Sequence, residues 1–146
     1  MLKGLSPLLT PELLKVLCEM GHGDEIVLAD GNFPAESLNS RVIRLDAHSG
    51  TDVLNALVSV FPLDTYSDPN AMLMEVVPGD KVETPIWGEY DKILRRAEGN
   101  NVKIGHIERF AFYDRAKTAY AVIATGETAL YANLILKKGV IVPKKD

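Results

Sequence analysis

Residues 20–34 read MGHGDEIVLADGNFP, and this stretch indicates the fold class. Two glycines flank His22, an apolar run covers residues 26–29, and Asp30 is followed by a Gly-Asn-Phe-Pro loop sequence. Glycine commonly ends a helix, and a short apolar run bounded by turn residues is typical of a buried strand. We therefore predict that a helix ends at one of the two glycines and that a strand follows it directly.

The same alternation of helical and strand patterns continues outward through the rest of the chain. Thr10, Pro11 and Glu12 form a helix start, because threonine caps free N–H groups and proline suits the first helical position. The predicted strands cover residues 26–29, 42–45, 72–77, 102–107, 119–124 and 131–136, and the predicted helices begin near residues 11, 49–51, 85 and 108. Alternating helices and strands are typical of an α/β protein.

The composition narrows the class of protein. The chain has 146 residues, 47% hydrophobic and 25% charged, which suits one domain with a substantial core. Its net charge of −4 argues against nucleic acid or an anionic membrane as partner. No apolar run approaches the ~20 residues of a membrane span, and the first dozen residues are unlike a signal peptide. The single cysteine, Cys18, cannot form a disulfide bond within the chain, so we expect a cytoplasmic protein.

His22 and Asp30 are the first candidates for chemistry. A histidine between glycines cannot be a packed helix residue, and its side chain gives and takes protons near neutral pH. Asp30 follows a buried strand, and ligands of α/β sheets tend to bind beyond the carboxyl ends of strands. The residues alone leave plainer interpretations open, namely an exposed turn histidine and an aspartate that caps its own loop.

Arg109 and Tyr113 form a second candidate group. Sugars are held by planar polar groups and aromatic faces, and both kinds of side chain occur in this stretch. If residues 108–117 are helical, Arg109 and Tyr113 lie on one face, and Phe110 points toward the core. The alternative is an amphipathic helix in which Arg109 pairs with Asp114 or with an ion from the solvent.

Tyr131 and Asn133 form a third candidate group. In a strand the two side chains share a face, and an asparagine among apolar neighbours needs a partner in the protein or in a ligand. The alternative is a polar network within the core or at a subunit contact. Asp64 follows a proline and by itself predicts only a turn.

No metal or coenzyme site is predicted. The three histidines lack the spacing of metal ligands, and Cys18 is predicted on an apolar helix face. The dinucleotide, P-loop and nucleophile-elbow motifs do not occur. We therefore expect a protein that works without a metal ion or a cofactor.

Short fragments along the whole chain carry a family resemblance. They are LSP at 5–7, MGHGDEI at 20–26, DGNFP at 30–34, LDTY at 63–66, TPIW at 84–87, RFAFY at 109–113, TGE at 125–127, YAN at 131–133 and LKKG at 136–139. In this order and at this spacing, they resemble the family that holds the fucose mutarotases and, more distantly, the D-ribose pyranases.

The resemblance implies an enzyme that interconverts the α and β ring forms of a free monosaccharide without metal or coenzyme. It also implies a ring-shaped homo-oligomer, commonly a decamer of two pentamers, with sites near subunit contacts. The implied catalytic positions are His22, Tyr113 and Asp64, and the implied sugar contacts are Asp30, Met74, Arg109, Tyr131 and Asn133. In the expected mechanism His22 serves one side of the sugar, and Tyr113, aided by Asp64, serves the other.

The fragment at 109–113 follows the fucose pattern, which favours L-fucose as the substrate. Ala132 is a departure, because fucose enzymes often carry glycine there, and it leaves the choice of sugar slightly open. The alternatives are D-ribose pyranase chemistry and a non-catalytic sugar-binding ring subunit. The expected fold is a single three-layer α/β/α domain over residues 1–146 with a central mixed sheet.

Overall fold

The computed structural model describes residues 1–145, and a six-stranded sheet forms its centre. The strands are β1 (Glu25–Ala29), β2 (Val42–Leu45), β3 (Ala71–Met74), β4 (Ile104–Ile107), β5 (Ala121–Thr125) and β6 (Leu134–Lys137). Their order across the sheet is β2-β5-β1-β6-β3-β4. The sheet is mixed, because β6 runs antiparallel to both of its neighbours and every other pair is parallel.

Helices cover both faces of this sheet. They are α1 (Pro11–Glu19), α2 (Ala35–Leu38), α3 (Gly50–Val58), α4 (Pro85–Glu98) and α5 (Arg109–Thr118), and a 3₁₀ turn at Gly99–Asn101 follows α4. The buried side chains of α1, α3 and α4 pack in one apolar cluster, and those of α2 and α5 pack in a second. The chain therefore forms the predicted mixed sheet between two helical layers.

The strand predicted from residues 26–29 lies in the middle of the sheet, paired with β5 and β6. Ile26 and Leu28 enter the cluster with α1, α3 and α4, whereas Val27 and Ala29 enter the cluster with α2 and α5. All four are at most 1% exposed. A strand buried on both faces has to be apolar at every position, which explains its unbroken apolar run.

Local capping explains where several helices begin. The side chains of Thr10, Ser49 and Glu108 accept hydrogen bonds from backbone N–H groups in the first turns of α1, α3 and α5. Thr84 makes no such hydrogen bond, although α4 begins at Pro85 as predicted. The proline at the first position therefore marks this helix start without help from the threonine side chain.

Two predicted strands are longer than the observed ones. The strand predicted over residues 72–77 ends at Met74, and the strand predicted over 131–136 begins only at Leu134. Residues 75–77 lead into a turn, and Tyr131 has a φ of +56°, which a strand does not allow. Both departures lie at the same end of the sheet, where the chain forms a cavity.

Two further details differ from prediction. Cys18 is exposed, because α1 turns Leu13, Val16 and Leu17 toward the core instead. Phe110 is 65% exposed rather than buried, and Phe112 is the aromatic residue of α5 that enters the core. No helix within residues 1–145 is both long and apolar enough to cross a membrane.

Candidate active site

An open cavity of about 280 Å³ lies beyond the carboxyl ends of β1 and β3 and the start of β6. Its lining is polar and aromatic, with a small apolar part, and consists of Asp30, Asn32, Phe33, Met74, Asp80, Arg109, Tyr113, Leu130, Tyr131 and Asn133. Six of the predicted site residues therefore share one cavity. The carboxyl end of the sheet is where α/β proteins commonly bind ligands.

Asp30 forms the floor of this cavity together with Asn133. The backbone N–H of Asp30 donates to Asn133 Oδ1 at 2.8 Å, and Asp30 Oδ1 accepts from the Asn32 backbone N–H at 3.0 Å. The Asp30 residue is only 6% exposed, and burial raises the pKa of its carboxyl. The hydrogen bonds that the carboxylate accepts lower this pKa, but the effect of burial is larger. The Asn133 side chain thus finds its partner within the protein, because its amide also donates a hydrogen bond to the Asp30 carboxylate.

Arg109 and Tyr113 form one wall of the cavity from the first turns of α5. Arg109 Nε donates to the Tyr113 hydroxyl oxygen at 3.1 Å, as the predicted spacing on one helix face requires. This hydrogen bond raises the pKa of the exposed guanidinium, which stays charged. The Tyr113 ring packs edge-on against Phe33, with ring centroids 5.6 Å apart. Because Arg109 donates to the phenol oxygen, the phenol proton of Tyr113 is free to point elsewhere.

Tyr131 forms the opposite wall in an unusual backbone conformation. Its φ of +56° lies in the left-handed region, which costs a residue other than glycine about 1–3 kcal/mol. Its hydroxyl donates to Asp80 Oδ2 at 2.7 Å, and this contact raises the pKa of the phenol. The phenol proton of Tyr131 is therefore committed to Asp80, in contrast to that of Tyr113. Tyr131 and Asn133 both line the cavity, as predicted, but they do so because the chain turns at Tyr131 and not because they alternate along a strand.

Four cavity residues were not predicted as site residues. Asn32 and Phe33 belong to the DGNFP fragment, and their position directly after Asp30 was the available signal. Asp80 and Leu130 carried no such signal, because an aspartate after glycine and a leucine before tyrosine are ordinary turn and strand residues. Only the folded arrangement brings them to the cavity.

His22 and Asp64 form a separate pair at the other end of the sheet. His22 Nε2 lies 3.0 Å from Asp64 Oδ1, across 42 positions of sequence. Asp64 is 1% exposed and also accepts hydrogen bonds from Ser67 Oγ and the Tyr66 backbone N–H. Burial works to raise the pKa of the Asp64 carboxyl, but the hydrogen bonds from Ser67, His22 and Tyr66 outweigh it and hold that pKa below its ordinary value.

This pair determines which imidazole nitrogen is free. An ionised Asp64 accepts hydrogen bonds only, so Nε2 of His22 has to carry the proton that it shares with Asp64. The other nitrogen, Nδ1, is then the basic one, on a side chain that is 46% exposed. A buried carboxylate that orients an exposed imidazole is an arrangement suited to proton transfer. The expectation that Asp64 aids Tyr113 is not met within one chain, because Asp64 contacts His22 instead.

The cavity and the His22–Asp64 pair are far apart within one chain. The loop that holds His22 precedes β1 and Asp30 follows it, so the five residues of β1 separate the two groups. At about 3.3 Å per residue this strand spans roughly 16 Å. A single subunit therefore does not bring all eight predicted residues to one place.

Exposed apolar side chains lie beside both the cavity and the His22–Asp64 pair. Tyr66 is 76% exposed, with its ring 5.5 Å from that of His22, and Phe110 and Leu130 beside the cavity are 65% and 50% exposed. His22 also borders an apolar groove of about 490 Å³ that includes the 79% exposed Ile141. Apolar surface of this kind is typical of subunit contacts.

No group of three or more histidine, cysteine, aspartate or glutamate side chains within residues 1–145 could hold a metal ion. The cavity instead offers two carboxylates, two amides, a guanidinium, two phenols and apolar surface. Such a set can hydrogen-bond several hydroxyl groups of one small neutral molecule and pack against its C–H faces.

Comparison with known proteins relates the whole chain to one family. The sequence model of the RbsD / FucU transport protein family matches residues 3–141. The fucose mutarotase of Homo sapiens is 56% identical over 146 aligned positions, which cover 96% of this chain and 94% of that protein.

Two solved structures share the fold and much of the sequence. The crystal structure of FucU from Bifidobacterium longum has a TM-score of 0.93 and 57% identity, covering 96% of this chain and all of that one. The fucose mutarotase of Streptococcus pneumoniae, solved in complex with L-fucose, has a TM-score of 0.91 and 46% identity. That match covers 97% of this chain and 100% of the other.

Proposed function

This chain belongs to the RbsD / FucU family, and we propose that it is an isomerase that interconverts the α and β anomers of L-fucose. The observation that carries the proposal is the cavity that joins Asp30, Arg109, Tyr113, Tyr131 and Asn133. Its 280 Å³ lies near the lower limit of about 300 Å³ for small-molecule sites, which suits one monosaccharide.

Mutarotation sets definite chemical requirements. A proton leaves the anomeric hydroxyl, a proton reaches the ring oxygen, and the ring opens to an aldehyde. The bond between C1 and C2 then turns, and the ring closes on the other face of the carbonyl with the reverse proton transfers. Two groups that exchange protons near neutral pH, placed on either side of C1, are sufficient for both directions.

We assign these two roles to His22 and Tyr113. His22 takes and returns a proton at Nδ1, while Asp64 holds the imidazole through Nε2. Tyr113 serves the other side of the sugar, because its phenol proton is not used by Arg109, whereas that of Tyr131 is bound to Asp80. Neither step needs a covalent intermediate or a coenzyme.

The remaining cavity residues orient the sugar. The Asp30 carboxylate and the Asn133 amide suit neighbouring hydroxyl groups, and Arg109 suits a hydroxyl or the ring oxygen. Met74, 3% exposed, together with Phe33 provides an apolar surface for the methyl group that distinguishes L-fucose from ribose. This apolar part of the cavity favours L-fucose over the D-ribose alternative.

We propose that the site is completed between subunits of a ring from two half-sites, the His22–Asp64 pair of one subunit and the cavity of the next. The length of β1, roughly 16 Å, which separates the two groups in one chain, supports this arrangement. The exposed side chains of Tyr66, Phe110 and Leu130 beside the two half-sites support it as well. The expected assembly is a decamer of two pentameric rings.

A complementation experiment tests the shared site. Coexpressed His22→Ala and Arg109→Ala subunits are each defective alone, but a mixed ring juxtaposes intact half-sites. With equal amounts and random order, about a quarter of the sites regain both intact halves. Exchange activity of mixed rings, measured at an L-fucose concentration well below KM so that Arg109→Ala is itself defective, is therefore expected near a quarter of the wild-type value. Mixed rings no more active than the average of the two parent variants would show that each site lies within one chain.

Arg109→Ala is expected to weaken sugar binding more than turnover. The guanidinium orients the Tyr113 oxygen and faces the cavity, but it exchanges no proton in the proposed mechanism. We expect KM for L-fucose to rise about tenfold, as for one lost charge-assisted hydrogen bond, with kcat reduced less. Exchange rates measured by NMR over a range of L-fucose concentrations separate the two constants. Unchanged KM would remove Arg109 from the site.

The function itself is tested by magnetisation-transfer NMR on a panel of free sugars. Saturating one anomeric signal of L-fucose should reduce the other in the presence of the protein, far faster than spontaneous exchange allows. A larger effect on D-ribose would favour pyranase chemistry. Binding of L-fucose with exchange at the spontaneous rate would identify a non-catalytic sugar-binding subunit.

We also propose that the enzyme works in the cytoplasm. Its one cysteine, Cys18, is a free and exposed thiol, which is typical of proteins in a reducing compartment. A free monosaccharide is the only small partner that the mechanism needs.

A further inference from the structure

Helix α4 holds the segment 131–133 through two side chains on one face. Trp87 Nε1 donates to the Tyr131 carbonyl oxygen at 2.8 Å, and the Tyr90 hydroxyl donates to the Ala132 carbonyl oxygen at 3.1 Å. Residues three apart in a helix lie on the same side, so the two donors act together. Neither α4 residue lines the cavity.

The same segment is held from the other side by Asp30. The Ala132 backbone N–H donates to the Asp30 carboxylate, and Asn133 Oδ1 accepts from the Asp30 backbone N–H at 2.8 Å. Ala132 is fully buried. The segment thus connects α4, which packs in one apolar cluster, with the cavity beyond the carboxyl ends of β1 and β3.

Tyr131 needs this support, because a left-handed backbone is unfavourable for a residue with a bulky side chain. Such conformations persist where surrounding contacts determine them. Tyr131 is held at both ends. Trp87 donates a hydrogen bond to its backbone carbonyl, and its side-chain hydroxyl donates a hydrogen bond to Asp80.

We propose that Trp87 is a positioning residue for sugar binding, which holds Tyr131 in its left-handed conformation so that the phenol faces the cavity. This role rests on the proposed function and extends it to a residue outside the cavity. Trp87 touches neither the sugar nor the reacting atoms in this proposal. Its contribution passes through one backbone hydrogen bond.

Trp87→Phe tests the proposal, because phenylalanine keeps an aromatic ring but removes the N–H donor. We expect hydrogen–deuterium exchange of the peptide containing residues 131–133 to become faster in the assembled protein. We also expect KM for L-fucose to rise about three- to tenfold, as for one lost hydrogen bond, with kcat within about twofold of wild type. Ile93→Val is the matched control, since Ile93 is buried on the same helix and makes no hydrogen bond to the segment.

The outcomes distinguish the role proposed for Trp87 from the function proposed for the whole protein. Unchanged hydrogen exchange at 131–133 in Trp87→Phe would overturn the role of Trp87, and so would faster exchange with unchanged KM. An equal effect in Ile93→Val would also overturn it, because a general loss of stability would then explain both. A wild-type protein that does not accelerate L-fucose exchange would refute the proposed function alone, and the hydrogen-exchange result would still decide whether Trp87 positions the segment.

Discussion

His22→Ala is expected to lower the rate of L-fucose anomer exchange about 10²- to 10⁴-fold, the range that general acid–base groups contribute. The variant loses the exposed imidazole that Asp64 orients, and no other histidine lies at either half-site. Folding is expected to survive, because His22 lies in an exposed loop rather than in the core. Magnetisation-transfer NMR measures the rate, and light scattering measures the assembly.

His48→Ala is the matched control for this prediction. His48 lies between β2 and α3, outside the cavity and the His22 pair, and its side chain makes no hydrogen bond within residues 1–145. The control is expected to exchange anomers at the wild-type rate. Near wild-type exchange in His22→Ala, with assembly intact, would falsify the acid–base role of this imidazole.

Gly126→Ala is expected to have the largest effect on stability. An added Cβ would overlap the backbone carbonyl oxygen of Asp46, and the Gly126 N–H donates to the His48 carbonyl oxygen at 2.8 Å. The Gly126 backbone therefore lies directly against the turn after β2 and cannot move away without breaking this contact. We expect the free energy of unfolding to fall by about 3 kcal/mol or more, the upper end of overpacking effects.

Gly88→Ala provides a control of opposite sign. Gly88 lies in α4, and a Cβ there would meet no atom within 4 Å. Alanine in a helix interior is favoured over glycine by about 0.5–1 kcal/mol, so this variant is expected to be slightly more stable than wild type. Urea unfolding measures the free energy of unfolding of Gly126→Ala, Gly88→Ala and the wild type. The three are compared at equal subunit concentration, because the stability of an oligomer depends on concentration. Equal stability of the two variants would contradict the steric argument at Gly126.

Much of the fold could be predicted because local chemistry decides it. The apolar run at 26–29 became the central strand, Pro11 and Pro85 began helices, and α5 covers almost the predicted residues. The ends of β3 and β6 could not be predicted, because apolar residues continue past the points where the chain leaves the sheet. There Tyr131 adopts a backbone conformation that depends on contacts with α4 and Asp80.

The sequence by itself determined the alternation of helices and strands and the Arg109–Tyr113 pair, because neighbours along a helix or strand have a fixed geometry. Only the tertiary structure decided which distant side chains meet. Asp30 contacts Asn133 across 103 positions, whereas His22, eight positions from Asp30, lies at the opposite end of β1. The physical reason is that an extended strand separates its two ends by several ångströms per residue. The order of strands in the sheet, in contrast, brings segments together that are remote in sequence. The distance between two side chains therefore cannot be read from their spacing along the chain.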